Sequence, residues 1–160
     1  MKLKYAFIVL LFAQCGYYSF SGSTLPSHLK TIAVPVFDDQ TAEFGIREAL
    51  TDEIISGITR DNTLKISDPR NADSMLEGTI LTIRDEAGTV SVDEEVKDIK
   101  VYLTLNVRFV DMKKREALWE ERITQWGTYE PASANGRADA IDEIIDKVSE
   151  DILNKIIAGW

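Results

Sequence analysis

The residue with the clearest chemistry is Cys15, the only cysteine in a chain of 160 residues. It follows a start with Lys2 and Lys4 and an unbroken apolar run at 5–13. This order is typical of a secretory signal peptide. The apolar run is about half of the ~20 residues that a membrane-spanning helix needs, so it predicts export and not a stable span. A lone thiol at this boundary predicts a bacterial lipoprotein, in which the cysteine is diacylated and becomes the new N-terminus.

The residues before Cys15 fit the lipoprotein cleavage pattern in part. Ala13 is the small residue the pattern calls for, and Phe12 is an apolar substitute for the usual leucine. Gln14 is larger and more polar than the small residue usually found next to the cut. A cleavable signal peptide with an incidental cysteine, or a buried N-terminal helix, therefore stays open as an alternative. We favour acylation, because the export signal and the cysteine position agree.

Other reactive groups do not form a catalytic pattern. His28 is the only histidine, and we interpret it as a solvated loop residue beside Pro26. The sequence contains no glycine-rich phosphate loop, no G-x-S-x-G turn and no paired histidine or cysteine spacing for a metal. The acidic run at 93–95 is interpreted as a solvated loop, because no other ligands converge on it. We therefore predict no metal, no cofactor and no enzymatic activity.

The charge is strongly acidic. The chain has 18 basic and 27 acidic residues, and its formal net charge is −9. Removal of residues 1–14 would take two lysines with it and make the mature chain still more acidic. General nucleic-acid binding needs a net positive surface, so we predict no nucleic-acid partner. The membrane attachment is predicted to be the acyl chains on Cys15.

The elements that follow predict one domain. Apolar and alternating patterns predict strands at 31–37, 63–67, 75–84, 100–110 and 118–129, with a strand or loop at 89–96. Apolar residues at helical spacing predict one helix ending near Asn62 and another over 137–157. We expect Asp39 or Thr41 to cap the first helix, Pro35 to disturb the first strand, and Gly78 to mark a bulge or a close backbone approach.

These elements predict an α+β fold: a two-layer sandwich with two amphipathic helices packed on one face of a mixed four- to five-stranded sheet. Strict alternation over 100–110 indicates that one face of this sheet is covered and the other is polar. The predicted organisation is a lipoprotein signal peptide at 1–14, a lipidated tether at 15–30 and a single domain at 31–160.

Several segments together resemble the LptE family of lipopolysaccharide-assembly lipoproteins. They occur in order over nearly the whole mature chain: Cys15-Gly16-Tyr17-Tyr18, Leu25-Pro26, the strand at 30–37, Asn71-Ala72-Asp73 before Leu76-Glu77-Gly78, Leu118-Trp119-Glu120-Glu121, Trp126-Gly127, and a long C-terminal helix. The resemblance implies a lipid-anchored protein on the periplasmic side of the outer membrane. It also implies a partner, the LptD β-barrel, which such proteins plug and help to assemble, with lipopolysaccharide as a further contact.

The basic residues suggest where such a contact lies. Seven of the 16 basic residues after residue 14 fall on the second predicted hairpin, and three of them form its tip. An acidic protein can hold phosphates only through a local basic patch. We therefore predict contact with lipopolysaccharide phosphates or an acidic barrel lumen at Lys113, Lys114, Arg115 and Arg108. A solvated turn explains the same residues equally well.

Two other function classes stay open. The first is a lipid-anchored, pilotin-like accessory of another envelope secretion or assembly complex, which would share the anchor and the acidic body. The second is an exported hydrolase, which has the least support because no carboxylate pair stands out.

Overall fold

The computed structural model describes residues 25–88 and 97–158. Six strands and two helices follow one another along the chain. They are β1 (Thr31–Ala33), β2 (Asp38–Asp39), α1 (Ile46–Asp61), β3 (Lys65–Ile66), β4 (Ser74–Ala87), β5 (Ile99–Asp111), β6 (Glu116–Tyr129) and α2 (Gly136–Ala158).

The strands form one mixed sheet in the order β3-β1-β4-β5-β6. β1 is parallel to both β3 and β4, and β2 pairs in parallel with β4 further along the same edge. The long strands β4, β5 and β6 form an antiparallel meander. The sheet has six strands, slightly more than the four to five predicted, because the short strand β2 lies just beyond the first predicted strand, at positions that were not predicted to be a strand.

Both helices lie on one face of the sheet, which confirms the predicted two-layer architecture. α2 contacts β6, β5 and α1. The apolar row of α2 is buried: Ile141, Ile144, Ile145, Val148, Ile152 and Ile156. The residues of β5 that face the helices are also buried: Val101, Leu103, Leu105, Val107 and Phe109. At Gly127 a Cβ atom would lie 2.8 Å from the carbonyl oxygen of Ala140, so the glycine lets α2 pack directly on β6.

The first strand is shorter than predicted. β1 ends at Ala33, and the chain leaves the ladder before β2 begins at Asp38. Pro35 lies in this break, because proline has no N–H to donate to a sheet. The break lets the Phe37 ring turn into the core above Gly78, where a Cβ atom would lie 2.1 Å from the ring. Gly78 therefore marks a close approach to the backbone, made by the Phe37 side chain, whereas the register shift in β4 lies between Ile80 and Thr82.

The predicted caps of the first helix are wrong. α1 begins after Gly45, which adopts a left-handed φ of 79° and provides no side-chain cap. Asp39 instead accepts the N–H of Thr41, and the Thr41 hydroxyl accepts the N–H of Glu43. The side chains of Asp39 and Thr41 therefore stabilise two successive turns before the helix, and α1 begins several residues later than predicted. The predicted end near Asn62 is confirmed.

The register defines two ends of the sheet. At the hairpin end, Thr31 pairs with Lys65, Ser74 pairs with Asp111, and the turn at 112–115 joins β5 to β6. At the far end, Ala87, Ile99 and Tyr129 lie side by side, and α2 begins shortly afterwards.

Candidate functional site

The turn that carries the predicted basic tip is organised by Asp111. Its side chain accepts the backbone N–H groups of Lys113 at 2.9 Å and Lys114 at 3.0 Å. Its backbone carbonyl accepts the N–H of Arg115 at 2.8 Å, and Arg115 adopts a left-handed φ of 60°. The three basic side chains of the tip are exposed. The geometry therefore presents the predicted cations to solvent.

A short N-terminal strap, residues 25–30, is fastened to the same turn. His28 Nε2 lies 2.5 Å from Asp111 Oδ2, and the Asp111 side chain is fully buried. Leu29 is buried in the core and Leu25 packs on its edge. The interpretation of His28 as a solvated residue is therefore wrong, because its ring is the partner of a buried carboxylate. Sequence spacing could not reveal a contact between residues 83 positions apart.

Asp73 fastens the strap at a second point. One carboxylate oxygen accepts the N–H groups of Lys30 at 2.8 Å and Thr31 at 3.1 Å. The other lies 2.8 Å from Lys113 Nζ, which also donates to the His28 carbonyl at 3.3 Å. The strap, β4 and the hairpin turn are thus joined in one polar network.

The network holds both carboxylates in the ionised form. Burial alone would raise the pKa of Asp111, but the bonds it accepts from the Lys114 N–H and from His28 lower it below the ordinary value. The Lys113 ammonium, followed by the Lys30 N–H, lowers the pKa of Asp73 well below its ordinary value. Both groups are therefore negatively charged at neutral pH and compensate part of the positive charge nearby.

The four predicted contact residues do not form a single patch. Arg108 lies on the face of the sheet opposite the helices, about 10 Å along the strand from the turn. Its guanidinium is 3.7 Å from Glu120 and 4.0 Å from Glu77. At the tip, Lys114 lies 3.5 Å from Glu116, whereas Arg115 has no ion pair among the residues that the structure describes. The tip and Arg108 are therefore two separate basic positions.

A row of aromatic and basic residues, which was not predicted from the sequence, lies on the open face of the sheet. Register aligns Arg84, Tyr102 and Trp126 across three strands. The Arg84 guanidinium lies 5.2 Å from the Tyr102 ring centre, and Lys100 Nζ lies 4.9 Å from the Trp126 ring centre. Both distances are those of cation–π contacts. Alternation places Tyr102 and Lys100 on this face, but the row appears only once the pairing of all three strands is known.

Two further classes of site are absent from the described part of the chain. Within residues 25–88 and 97–158, no group of histidine, cysteine or acidic residues could hold a metal ion. No helix in those segments has the length and apolar character to cross a bilayer. Cys15 and the acidic run at 93–95 lie outside the described residues.

The fold is shared with several solved structures. A protein of Xanthomonas campestris, XCC0632, matches with a TM-score of 0.64 at 9% identity, over 84% of this chain and 89% of that one. The uncharacterized lipoprotein B of Nitrosomonas europaea matches with a TM-score of 0.56 at 15% identity, over 86% of this chain and 87% of that one. PelC from Paraburkholderia phytofirmans, solved as a dodecamer, matches with a TM-score of 0.55 at 16% identity, over 86% of this chain and 94% of that one. At these identities the likeness concerns the fold alone.

The sequence itself has a family match. No curated protein matches the chain. The family model described as LptE, lipopolysaccharide-assembly, matches residues 29–156, which span all six strands and nearly all of α2. The matched segment begins inside the strap and includes Asp73, Asp111 and the hairpin turn. The chain belongs to the LptE family of lipopolysaccharide-assembly proteins.

Proposed function

We propose that this protein is an outer-membrane lipoprotein, anchored through acylated Cys15 on the periplasmic side, that plugs and helps to assemble an LptD-like β-barrel. The barrel would deliver lipopolysaccharide to the cell surface, and the lipoprotein would have no catalytic role. The observation that carries the proposal is the LptE family match over residues 29–156. The signal-like sequence before Cys15 supports the anchor.

The two faces of the sheet support a protein-binding role. One face is covered by α1 and α2, whereas the other presents long strands without a covering layer in the described residues. This open face carries the arginine–tyrosine–tryptophan row and the Arg108 ion pairs. Aromatic and arginine side chains are enriched where proteins bind one another. We propose that the open face contacts the barrel.

The predicted contact residues remain part of the proposal. Lys113, Lys114, Arg115 and Arg108 would contact lipopolysaccharide phosphates or acidic groups of the barrel lumen. Lys114 and Arg115 are the better-placed pair, because Lys113 is occupied by Asp73 and the strap. Their side chains reach solvent beyond the end of the sheet, where a phosphate could form charge-assisted hydrogen bonds.

Charge reversal tests these contacts. The double variant K114E/R115E and the single variant R108E should each weaken binding to lipopolysaccharide at low salt several-fold, because they replace attraction to phosphate by repulsion. Arg47→Glu is a control at an exposed position, where the arginine forms an ion pair with its neighbour, Glu48. Affinity unchanged in both K114E/R115E and R108E would remove these residues from the proposal.

Barrel binding needs its own experiment. Substitution of Trp126 by alanine removes a half-exposed ring from the open face, where its neighbours are the ammonium groups of Lys100 and of Lys147 on α2. We expect less barrel to co-purify with this variant, while its thermal unfolding changes little. If the folded variant recovered as much barrel as the parent chain, the open face around Trp126 would not be the contact surface.

A further inference from the structure

Among the described residues, Phe44 is the most exposed of the large apolar side chains. It is 102% exposed, whereas the next most exposed, Val36, is 58%. It lies in the segment that joins β2 to α1, beside the start of α2 at the far end of the sheet. A single exposed apolar side chain is common on protein surfaces, so its surroundings decide whether it has a function.

The backbone on both sides of Phe44 is held in place. The Glu43 carboxylate lies 2.9 Å from the Arg137 guanidinium on α2, and the Glu43 N–H donates to the Thr41 hydroxyl. On the other side, Gly45 adopts a φ of 79°, a left-handed conformation that residues with a Cβ atom rarely adopt. The ring therefore projects into solvent from an ordered segment, and a partner that buries it loses little binding energy to ordering the chain.

A groove lies beside the ring, between the N-terminal parts of α1 and α2. It has a volume of about 580 Å³, and Phe44 lines it together with apolar side chains of both helices: Ile46, Ala49, Ala138, Ile141 and Ile145. The isoleucines are buried and the alanines are exposed. The small alanine side chains leave the apolar floor open to a side chain of another molecule. An aromatic anchor beside a pocket is the arrangement found at the centres of protein interfaces.

The charges around this groove are mainly acidic. Phe44 also lines an adjoining recess, and the charged groups of the two linings are four carboxylates and two cations: Asp39, Glu43, Glu48, Asp142, Arg47 and Arg137. Arg47 is paired with Glu48, and Arg137 is paired with Glu43. Among these groups, Asp39 and Asp142 therefore remain as the excess negative charge.

We propose that this surface, the Phe44 groove, binds a segment of the barrel in which an apolar side chain is flanked by lysine or arginine. The inference rests on the proposed function, because its occupant belongs to the barrel that the protein plugs. The apolar side chain fills the groove against Phe44, and the flanking cations face Asp39 and Asp142. A barrel that surrounds the domain faces its helices as well as its open sheet face, so this contact is additional to the one proposed at Trp126.

A second copy of the chain fits this surface less well. Two-fold pairing through one patch brings the same surface of both molecules together. Asp39 and Asp142 of each copy would then face an acidic surface, and like charges across an interface weaken association. The same charges disfavour phosphate groups, which the proposed function assigns to Lys114 and Arg115 at the opposite end of the sheet. The two ends of the sheet thus select groups of opposite charge.

Site-specific photo-crosslinking of the full, C-terminally tagged chain in intact cells tests the contact. The photoreactive residue p-benzoylphenylalanine replaces Phe44, whose exposed ring makes no demand on the fold. We expect a covalent product with the barrel, in a peptide that contains lysine or arginine. The same residue at Ser56, exposed on α1 about 15 Å beyond the groove, is the matched control and should give several-fold less product.

Two pairs of variants measure what the surface contributes to affinity for the purified barrel in detergent. Phe44→Ala should weaken binding about ten-fold, because it removes an aromatic anchor, whereas Phe44→Leu should retain most of the affinity. Asp142→Lys should weaken binding several-fold, and high salt should reduce this difference from the parent chain. Asp52→Lys makes an equal charge change at an exposed position of α1 outside the groove and should have little effect.

The outcomes separate this inference from the proposed function. If the barrel co-purifies with the parent chain but forms no crosslink at residue 44, or binds Phe44→Ala as tightly as the parent, the Phe44 groove is not a barrel contact and the proposed function survives. A crosslinked product of twice the monomer mass, or a crosslink within the chain, would likewise overturn the inference by identifying a different occupant. If no barrel co-purifies with the parent chain, both the proposed function and this inference fail.

Discussion

The two ends of the sheet are both closed by ionic networks, but the networks are built in opposite ways. At the hairpin end the centre is a carboxylate, Asp111, whose side chain is fully buried. At the far end the centre is a cation, Arg137, whose side chain is 37% exposed. Arg137 lies 2.9 Å from Glu43 and 3.0 Å from Asp85, and Asp85 also accepts the Tyr129 hydroxyl at 3.0 Å.

We infer that burial, more than the number of ion pairs, decides how much each network contributes to stability. A buried charge that loses its partners remains in a medium that solvates it poorly, whereas a half-exposed charge regains water. We therefore expect the network at the hairpin end to contribute more to the stability of the fold, because it holds the strap and the turn in place. At the far end, we expect substitution of the charged residues that join α2 to the sheet to lower the free energy of unfolding only slightly.

The largest effect is expected for Asp111→Ala. The change removes the acceptor of two turn N–H groups and of His28, so the free energy of unfolding should fall by about 2–3 kcal/mol. Urea unfolding followed by tryptophan fluorescence measures this loss. Asp111→Asn keeps one acceptor oxygen and should lose less. A loss below about 0.5 kcal/mol for the alanine variant would contradict the importance of burial at this end.

A smaller effect is expected for Arg137→Ala at the far end. Its two carboxylate partners are partly solvated and regain hydration, so the loss should be about 1 kcal/mol. The control is Arg47→Ala, which breaks one exposed pair with Glu48 and should change stability by less than about 0.5 kcal/mol. If Arg137→Ala proved as destabilising as Asp111→Ala, the distinction between the ends would not hold.

The ends should also respond to opposite extremes of pH. Native contacts lower the pKa values of Asp73 and Asp111, so below about pH 4 the unfolded chain binds more protons and stability falls. Burial, aided by the bond to Asp85, raises the pKa of Tyr129, so stability falls as pH rises above about 10.

Two variants test this contrast through the urea midpoint. Asp111→Asn should lose less stability than the parent chain between pH 6 and pH 3, because it removes one of the groups that take up protons on unfolding. Tyr129→Phe should lose less between pH 8 and pH 11. The account would be refuted if Asp111→Asn reduced the loss of stability at high pH and not at low pH, and Tyr129→Phe did the reverse.

Periodicity alone was enough to predict the architecture. The alternation around Val101–Phe109 and the helical spacing from Ile141 to Ile156 are local signals, and the structure confirms both as buried faces. The tip cations are exposed as predicted, because a charged turn between two long strands has few other places to lie. Their functional role stays a prediction.

The remaining features depend on contacts between distant residues. The pairing of His28 with Asp111 and that of Glu43 with Arg137 join segments more than 80 residues apart. The row of Arg84, Tyr102 and Trp126 depends on register, which extra residues at 81 and 118 shift within two strands. The capping prediction for α1 was wrong because Asp39 and Thr41 bond to nearer backbone groups in two turns before the helix.

The most direct test of the central claim is affinity purification of the C-terminally tagged protein from detergent-solubilised envelopes. Mass spectrometry would identify both the partners and the mature N-terminus. The account predicts a stoichiometric large β-barrel of the LptD type and a diacylated Cys15. A barrel without acylation would keep the partner and remove the anchor. Recovery of a secretion-pore component, or of no barrel, would contradict the proposed function.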